Sequence, residues 1–203
     1  MKKYKLDYYY DCALLSQEQR KHLILRVDSD GSDIDAFNKL SDIEHNILKF
    51  VDSGKNLYLH SQTAGNGKTS WSLRLIQGYI NKKWFNTKLQ CIVLFINVPR
   101  FLLSIKDNID TKNDYAQHIK DNVLDADLVV WDDIGTKQST TFENENLLSI
   151  IDSRINLNKS NIFTSNLSSD ELHIALGDRL HSRICNQSID IELKGMDKRF
   201  LKK

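Results

Sequence analysis

Beyond residue 33, short apolar runs alternate with longer stretches in which apolar residues recur every three or four positions. Leu57–Leu59, Leu89–Ile96, Leu128–Trp131, Asn161–Thr164 and Ile189–Leu193 read as strands, the second so continuously apolar that it fits a strand buried on both faces. Phe37, Leu40, Ile43, Ile47, Leu48 and Val51 predict one helix over 34–51, with Gly54 as its stop signal. Trp71, Leu75 and Tyr79, with Ser72, Ile76 and Ile80, place an i, i+4 stripe on a helix from Lys68 to about Asn81. The only proline, Pro99, suits the first turn of a helix ending near Lys106, and Tyr115–Leu124 is a further helical stretch. Leu147, Leu148, Ile151 and Ile155 mark an amphipathic helix. Ser168 and Glu171 have capping-box spacing ahead of another helix, which Gly177 closes, and a short helix with Arg179, Leu180 and Arg183 follows. Strands alternating with helices predict an α/β fold with a parallel sheet.

Residues 1–33 have no clean period. Tyr8, Tyr9 and Tyr10 form an aromatic cluster, Ser16–Arg26 is predicted as a short helix, and Asp28–Asp33 is a polar turn. A calcium loop needs glycine at its sixth position and a bidentate Glu at its twelfth. Here Gly31 is the fourth residue and Lys39 the twelfth, which argues against calcium.

At 203 residues and 40% hydrophobic content the chain can bury a substantial core, and its length favours one domain. The formal charge of +1 gives no global field for nucleic acid or membrane, although Lys2, Lys3 and Lys5, and Lys194, Lys198, Lys202 and Lys203, cluster at the two ends. The longest apolar run, Cys91–Ile96, is too short to span a bilayer, and the first residues do not form a signal-peptide core, so no membrane partner and a cytoplasmic location are expected. Three scattered cysteines, Cys12, Cys91 and Cys185, fit neither a disulfide framework nor a zinc site.

The candidate chemistry begins at Asn56–Thr69, where a strand breaks into a glycine-containing loop and a helix follows. In that setting Gly65-Asn66-Gly67-Lys68-Thr69 is a phosphate-binding sequence. Its glycines let backbone N–H groups close on anionic oxygens, Lys68 reaches the terminal phosphates, and the Thr69 hydroxyl ligates Mg²⁺ beside the positive end of the helix. The nucleotide-contact set is Gln62, Ala64, Gly65, Asn66, Gly67, Lys68, Thr69 and Ser70; Gln62 stands where the full pattern has its first glycine. Ligands of parallel sheets lie at the carboxyl ends of the strands, where Asp132, Asp133 and Asn166 also fall. Asp132 is the candidate metal ligand and Asp133 the candidate for activating water. Asn166 is either a catalytic polar group or turn chemistry. Arg183, outward on its short helix, is either a finger completing a neighbouring subunit's site or half of a surface ion pair. Arg179 and Arg154 are secondary candidates for the same interface, and Arg100 and Lys106, on the helix opened by Pro99, are either DNA-phosphate contacts or solvated surface charges.

Taken in order, Gly-Asn-Gly-Lys-Thr-Ser-Trp (65–71), Asn-Val-Pro-Arg-Phe-Leu-Leu (97–103), Ala-Asp-Leu-Val-Val-Trp-Asp-Asp-Ile-Gly (126–135), Thr-Ser-Asn-Leu (164–167), Leu-Gly-Asp-Arg-Leu-His-Ser-Arg-Ile (176–184) and Lys-Gly-Met-Asp-Lys-Arg (194–199) resemble the AAA+ ATPases of the DnaC and DnaI helicase-loader type, especially phage-encoded ones, with the IstB transposition ATPases as relatives. The resemblance covers roughly residues 55–199. It implies a three-layer αβα P-loop NTPase with a five-stranded parallel sheet and no substantial C-terminal lid, spanning 34–203; either residues 1–33 are a reduced partner-docking segment or the helicase contact lies elsewhere. It makes Lys68 and Thr69 Walker A residues, Asp132 and Asp133 Walker B, Asn166 sensor 1, Arg183 the arginine finger and Arg199 a stand-in for sensor 2. The cofactors it implies are ATP and Mg²⁺, the metal held by Thr69 and Asp132. The partners it implies are a hexameric DnaB-type replicative helicase, single-stranded DNA and further copies of the chain in a spiral or ring. Asp133 stands where many AAA+ proteins have glutamate, so weak hydrolysis is expected. The leading functional expectation is an ATP-dependent helicase loader. A nucleotide-binding adaptor or inhibitor with little turnover, and an IstB-like regulator of transposition, are the alternatives.

Overall fold

Five parallel strands form one sheet in the order β2–β3–β4–β1–β5, with β1 (Asn56–His60), β2 (Val93–Asn97), β3 (Leu128–Asp132), β4 (Ser160–Ser165) and β5 (Ser188–Glu192). The computed structural model describes residues 2–21, 23, 25, 27, 31–107, 113–135 and 139–198. Alternate strand residues feed two separate cores. Leu57, Leu59, Val93, Phe95, Leu128, Val130 and Ile162 point to one face, and Tyr58, Leu94, Ile96, Val129, Trp131 and Phe163 to the other. The first face is covered by α1 (Lys2–Cys12), α2 (Ile34–His45), α3 (Ile47–Asp52) and α4 (Lys68–Lys83), the second by α5 (Val98–Asp107), α6 (Asp114–Asn122), α7 (Thr141–Asn156) and α8 (Ser169–Cys185). This is the three-layer αβα arrangement with a five-stranded parallel sheet that the resemblance implies. Trp71 and Trp131 are core residues, at 5% and 0% exposure.

Local signals account for most boundaries. Thr140 and Glu143 cap α7 reciprocally, as Ser168 and Glu171 cap α8, and the Asn113 side chain accepts from Tyr115 N and Ala116 N at the start of α6. Gly177 breaks α8 with φ 77° and ψ 167°. Gly54 stops α3 at φ 64°, and a Cβ there would lie 2.2 Å from Asn158 Oδ1.

Three expectations change, and one helix appears that the sequence did not signal. The helix over 34–51 is two helices, broken at Asn46, whose side-chain amide donates to Asp42 O and whose backbone leaves helical geometry at φ −103°, ψ 24°. The helix expected at Ser16–Arg26 begins instead as a turn over residues 17–20, and part of the remaining stretch, like Asp28–Asp30 of the acidic turn, lies outside the described residues. Strand β2 starts at Val93, since Leu89 is exposed and Ile92 O accepts from Asp127 N and Leu128 N. Helix α1 lacks a sequence signal because it is held from outside: Tyr9, Ala13 and Leu15 are buried in the first core, Tyr9 Oη donates to Thr87 O and Lys88 O, and Ala13 O accepts from Phe95 N on β2.

Arg154 is also corrected. It is not available to an interface: at 0% exposure its guanidinium donates to Asn161 Oδ1 at 2.7 Å, to Ala126 O at 2.8 Å, to Ser160 O at 2.6 Å and to Val123 O. Burial pulls its pKa down, against the pull of the Asp127 charge. Its planar fork thus ties α7 to the segments that lead into β3 and β4. Arg154→Met is expected to lower the unfolding free energy by about 3 kcal/mol or more in urea titrations, because the buried carbonyls of Val123, Ala126 and Ser160 lose the guanidinium, while Asn161 Oδ1 keeps its bond from Trp131 Nε1. A loss under about 1 kcal/mol would show that water replaces the guanidinium there.

Candidate functional site

At the carboxyl end of β1 the chain turns through residues 61–67 into α4. The turn is closed from within: Ser61 Oγ accepts from Thr63 N at 3.1 Å and from Asn66 Nδ2 at 2.5 Å. Lys68, only 5% exposed, donates to Thr63 O at 3.0 Å, Ser61 O at 3.3 Å and Asn66 Oδ1 at 3.3 Å. Gly67 enters α4 at φ 114°, with open space where a Cβ would sit and no side chain capping the helix. The first N–H groups of a helix point out of its start and form the positive end of its dipole, here directed at the turn. This is a cradle for an anion. Ala64 and Gln62 are exposed. In the place of the pattern's first glycine, the Gln62 side chain bonds to Glu171 in the capping box of α8. The Glu171 carboxyl is held below its usual range by the Ser168 N–H first, then the Ser168 hydroxyl, with Gln62 adding to them.

The carboxylate end of β3 meets this cradle. Asp132, 4% exposed, accepts from Thr69 Oγ1 at 3.0 Å and from Thr164 Oγ1 at 2.8 Å on the same Oδ1 atom. The Asn97 side chain is a third partner, at the register position of β2 facing Asp132. Burial pushes the Asp132 pKa up to about 6; the Asp133 charge adds to this, and the Thr164, Thr69 and Asn97 bonds oppose it. Asp133 turns out of the strand at φ 60°, and its N–H donates to Thr164 Oγ1 at 3.0 Å. Burial raises its pKa and the Lys68 ammonium lowers it, so loop lysine and carboxylate share one electrostatic neighbourhood. Ile134 N donates to Thr164 O and Ser165 Oγ to Ile134 O, fastening the turn after Asp133 to β4. Asn166 follows β4 directly and is half-buried.

Gly65, Asn66, Gly67, Lys68, Thr69, Asp132 and Asp133 are thus brought to one place at neighbouring strand ends. Thr164 and Asn97 belong to the same cluster and were missed from sequence. Thr164 was concealed inside an apolar strand, and the signal for Asn97 was that it ends β2 as Asp132 ends β3. Arg183 is elsewhere: its Nε lies 2.6 Å from Asp152 Oδ1 on α7, in a half-exposed pair flanked by Arg179. Arg199 lies outside the described residues. Thr69 and Asp132 present hard oxygens 3.0 Å apart beside an uncapped helix start and a buried lysine. That donor set fits a small divalent cation with a phosphate chain.

The family of IstB-like ATP-binding proteins matches residues 31–200 of the chain. No curated protein matches it. Among solved structures, the DnaC helicase loader is similar at 21% identity and TM-score 0.69, over 88% of this chain and 100% of that one. A putative primosome component from Streptococcus pyogenes serotype M3 is similar at 22% identity and TM-score 0.69, over 95% of this chain and 98% of that one. AMPPCP-bound DnaA from Aquifex aeolicus is similar at 18% identity and TM-score 0.60, over 86% of this chain and 50% of that one. At these identities the likeness is one of fold, and the fold is the P-loop NTPase core of the AAA+ type.

Asp132 has a native pKa of about 6 against an ordinary 3.8, so it binds more protons folded than unfolded. Its contribution to stability is greatest below about pH 4 and is lost as the pH rises to about 6. Asp132→Asn keeps an acceptor oxygen without the charge, so relative to wild type the metal-free variant should gain up to about 3 kcal/mol between these limits, followed by urea unfolding. Parallel profiles would mean that Asp132 is not raised.

Proposed function

Because the chain belongs to the IstB-like ATP-binding protein family, we propose that it is an ATP-dependent loader that places a hexameric DnaB-type replicative helicase on single-stranded DNA, serving phage replication in the bacterial host cytoplasm. The observation that carries this reading is the meeting of Lys68, Thr69, Asp132 and Asp133 in a fold similar to the solved chain of the DnaC helicase loader over that chain's full length. In this reading ATP with Mg²⁺ supplies a phosphoanhydride bond whose cleavage resets the assembly. Lys68 exchanges its loop carbonyls for phosphate oxygens, and Gln62, Ala64, Gly65, Asn66, Gly67 and Ser70 line the nucleotide. Thr69 and Asp132 hold the metal. Asp133 orients the attacking water with Asn166 and accepts its proton, and a carboxylate one methylene shorter than glutamate gives slow turnover. Arg199 contacts the nucleotide.

Arg183 acts on a neighbouring copy in a spiral or ring. In the free chain it is paired with Asp152 at 2.6 Å, so assembly exchanges that carboxylate for the neighbour's phosphate. Single-stranded DNA is assigned to Arg100, an exposed cation whose guanidinium lies 4.0 Å from the centre of the half-buried Tyr115 ring. Lys106 contributes less, being paired with buried Glu143 at 3.1 Å. A second reading, regulation of transposition, is favoured by the IstB-like family itself and predicts binding to a transposase and duplex DNA.

Lys68→Ala should abolish loading of the helicase on single-stranded DNA, and unchanged loading overturns the proposal. Arg183→Ala should keep nucleotide binding while assembled turnover falls on the order of 10³-fold; an equal effect on isolated chains would remove the trans role. Arg100→Ala should weaken single-strand binding and flatten its log–log salt dependence by about one unit or less. An unchanged slope removes that contact.

A further inference from the structure

The acidic turn before α2 contains a carboxylate that the site described above does not use. Asp33 stands at the N-cap of α2, yet its side chain caps nothing in that helix and is 3% exposed. It faces a distant segment instead. Its Oδ1 accepts from Lys194 N at 2.6 Å and from Gly195 N at 3.0 Å, and Lys198 Nζ lies 3.6 Å from its Oδ2. A buried carboxylate is tolerable only with such donors, so the placement of residues 194 and 195 is strongly specified.

The segment Asp33 holds is itself fastened to the phosphate loop at both ends. Leu193 O accepts from Asn66 Nδ2 at 3.1 Å, and Lys198 N donates to Gly65 O at 2.9 Å. Residues 193–198 therefore form a strap with two ties to the loop and one clasp between them. The tie to Gly65 bears on anion binding through the geometry of one peptide unit. In a planar trans peptide the C=O of Gly65 and the N–H of Asn66 point in opposite directions. Holding that carbonyl on Lys198 aims the Asn66 N–H away from the strap. Gly65, at φ 75°, is free to rotate once the tie is gone, and a flipped peptide would offer phosphate an oxygen in place of a donor.

We propose that Asp33 is a positioning residue for nucleotide binding: by clasping the strap 193–198 it fixes the Gly65–Asn66 peptide of the phosphate loop in its donor orientation. The proposal rests on nucleotide binding at that loop. The carboxylate acts through the strap and makes no contact with the nucleotide.

The experiment is equilibrium binding of AMPPCP with Mg²⁺ to the full chain, together with amide hydrogen exchange. Asp33→Ala should weaken AMPPCP binding about tenfold and speed exchange of the Asn66 amide, whereas Asp33→Asn, whose amide oxygen accepts the same two N–H groups, should stay within about twofold of wild type. A merely structural role would lower the unfolding midpoint of Asp33→Ala and leave affinity unchanged, and that result overturns the proposal. The wild-type chain gives an independent reading, since coupling is reciprocal: saturating AMPPCP should slow exchange of the Lys194 and Gly195 amides several-fold. Binding without that protection overturns the strap, while absence of AMPPCP binding by wild type overturns the nucleotide reading and the strap with it.

Discussion

A carboxylate left 4% exposed at the end of β3 has to be answered by donors, and Asp132 draws them from three other elements: Thr69 from α4, Thr164 from β4 and Asn97 from β2. These partners can reach it only if β4 lies between β1 and β3 and all strands run parallel, so that their carboxyl ends coincide. The sheet order and the burial of Asp132 are one constraint seen twice. The cost of holding the charge appears as a raised pKa, a group that favours neutralisation by a proton or a cation. A place where burial disfavours an isolated charge is a place prepared to bind a positive one.

Two other buried charges are answered largely by main chain rather than by side chains. Arg154 anchors the opposite end of the sheet, joining the carbonyls of Val123, Ala126 and Ser160 where β3 and β4 begin. Asp33 holds the strap after β5. Each removes a polar main-chain group from water only by pairing it, so each specifies one arrangement of segments far apart in sequence. Arg183 follows the opposite rule. Half-exposed and paired with one carboxylate in water, it gains little from Asp152 and can be exchanged.

The fold was legible where a signal is local. The runs at Leu57–Leu59 and Leu128–Trp131 became strands with little change, the stripe from Trp71 to Ile80 became the buried face of α4, and the Ser168–Glu171 box opened α8. It was illegible where partners lie far along the chain. Helix α1 has no amphipathic pattern of its own and is fixed by Tyr9 on the carbonyls of residues 87 and 88. Asn46 interrupts an unbroken apolar period with one side-chain bond to the Asp42 carbonyl. Arg154 gave no sign of burial, since nothing in its neighbourhood names the acceptors that make burial tolerable.

By itself the sequence determined the alternation of strands and helices and the phosphate loop, because periodicity, glycine placement and the order Gly-Asn-Gly-Lys-Thr act over a few residues. The tertiary structure decided which side chains share a site. It set Thr164 and Asn97 on Asp132, took Arg154 into the core, paired Arg183 with Asp152 and put the turn at Asp33 against residues 194 and 195. The physical reason is that a buried polar group must find its partner wherever the chain returns, and only the closed sheet fixes where that is.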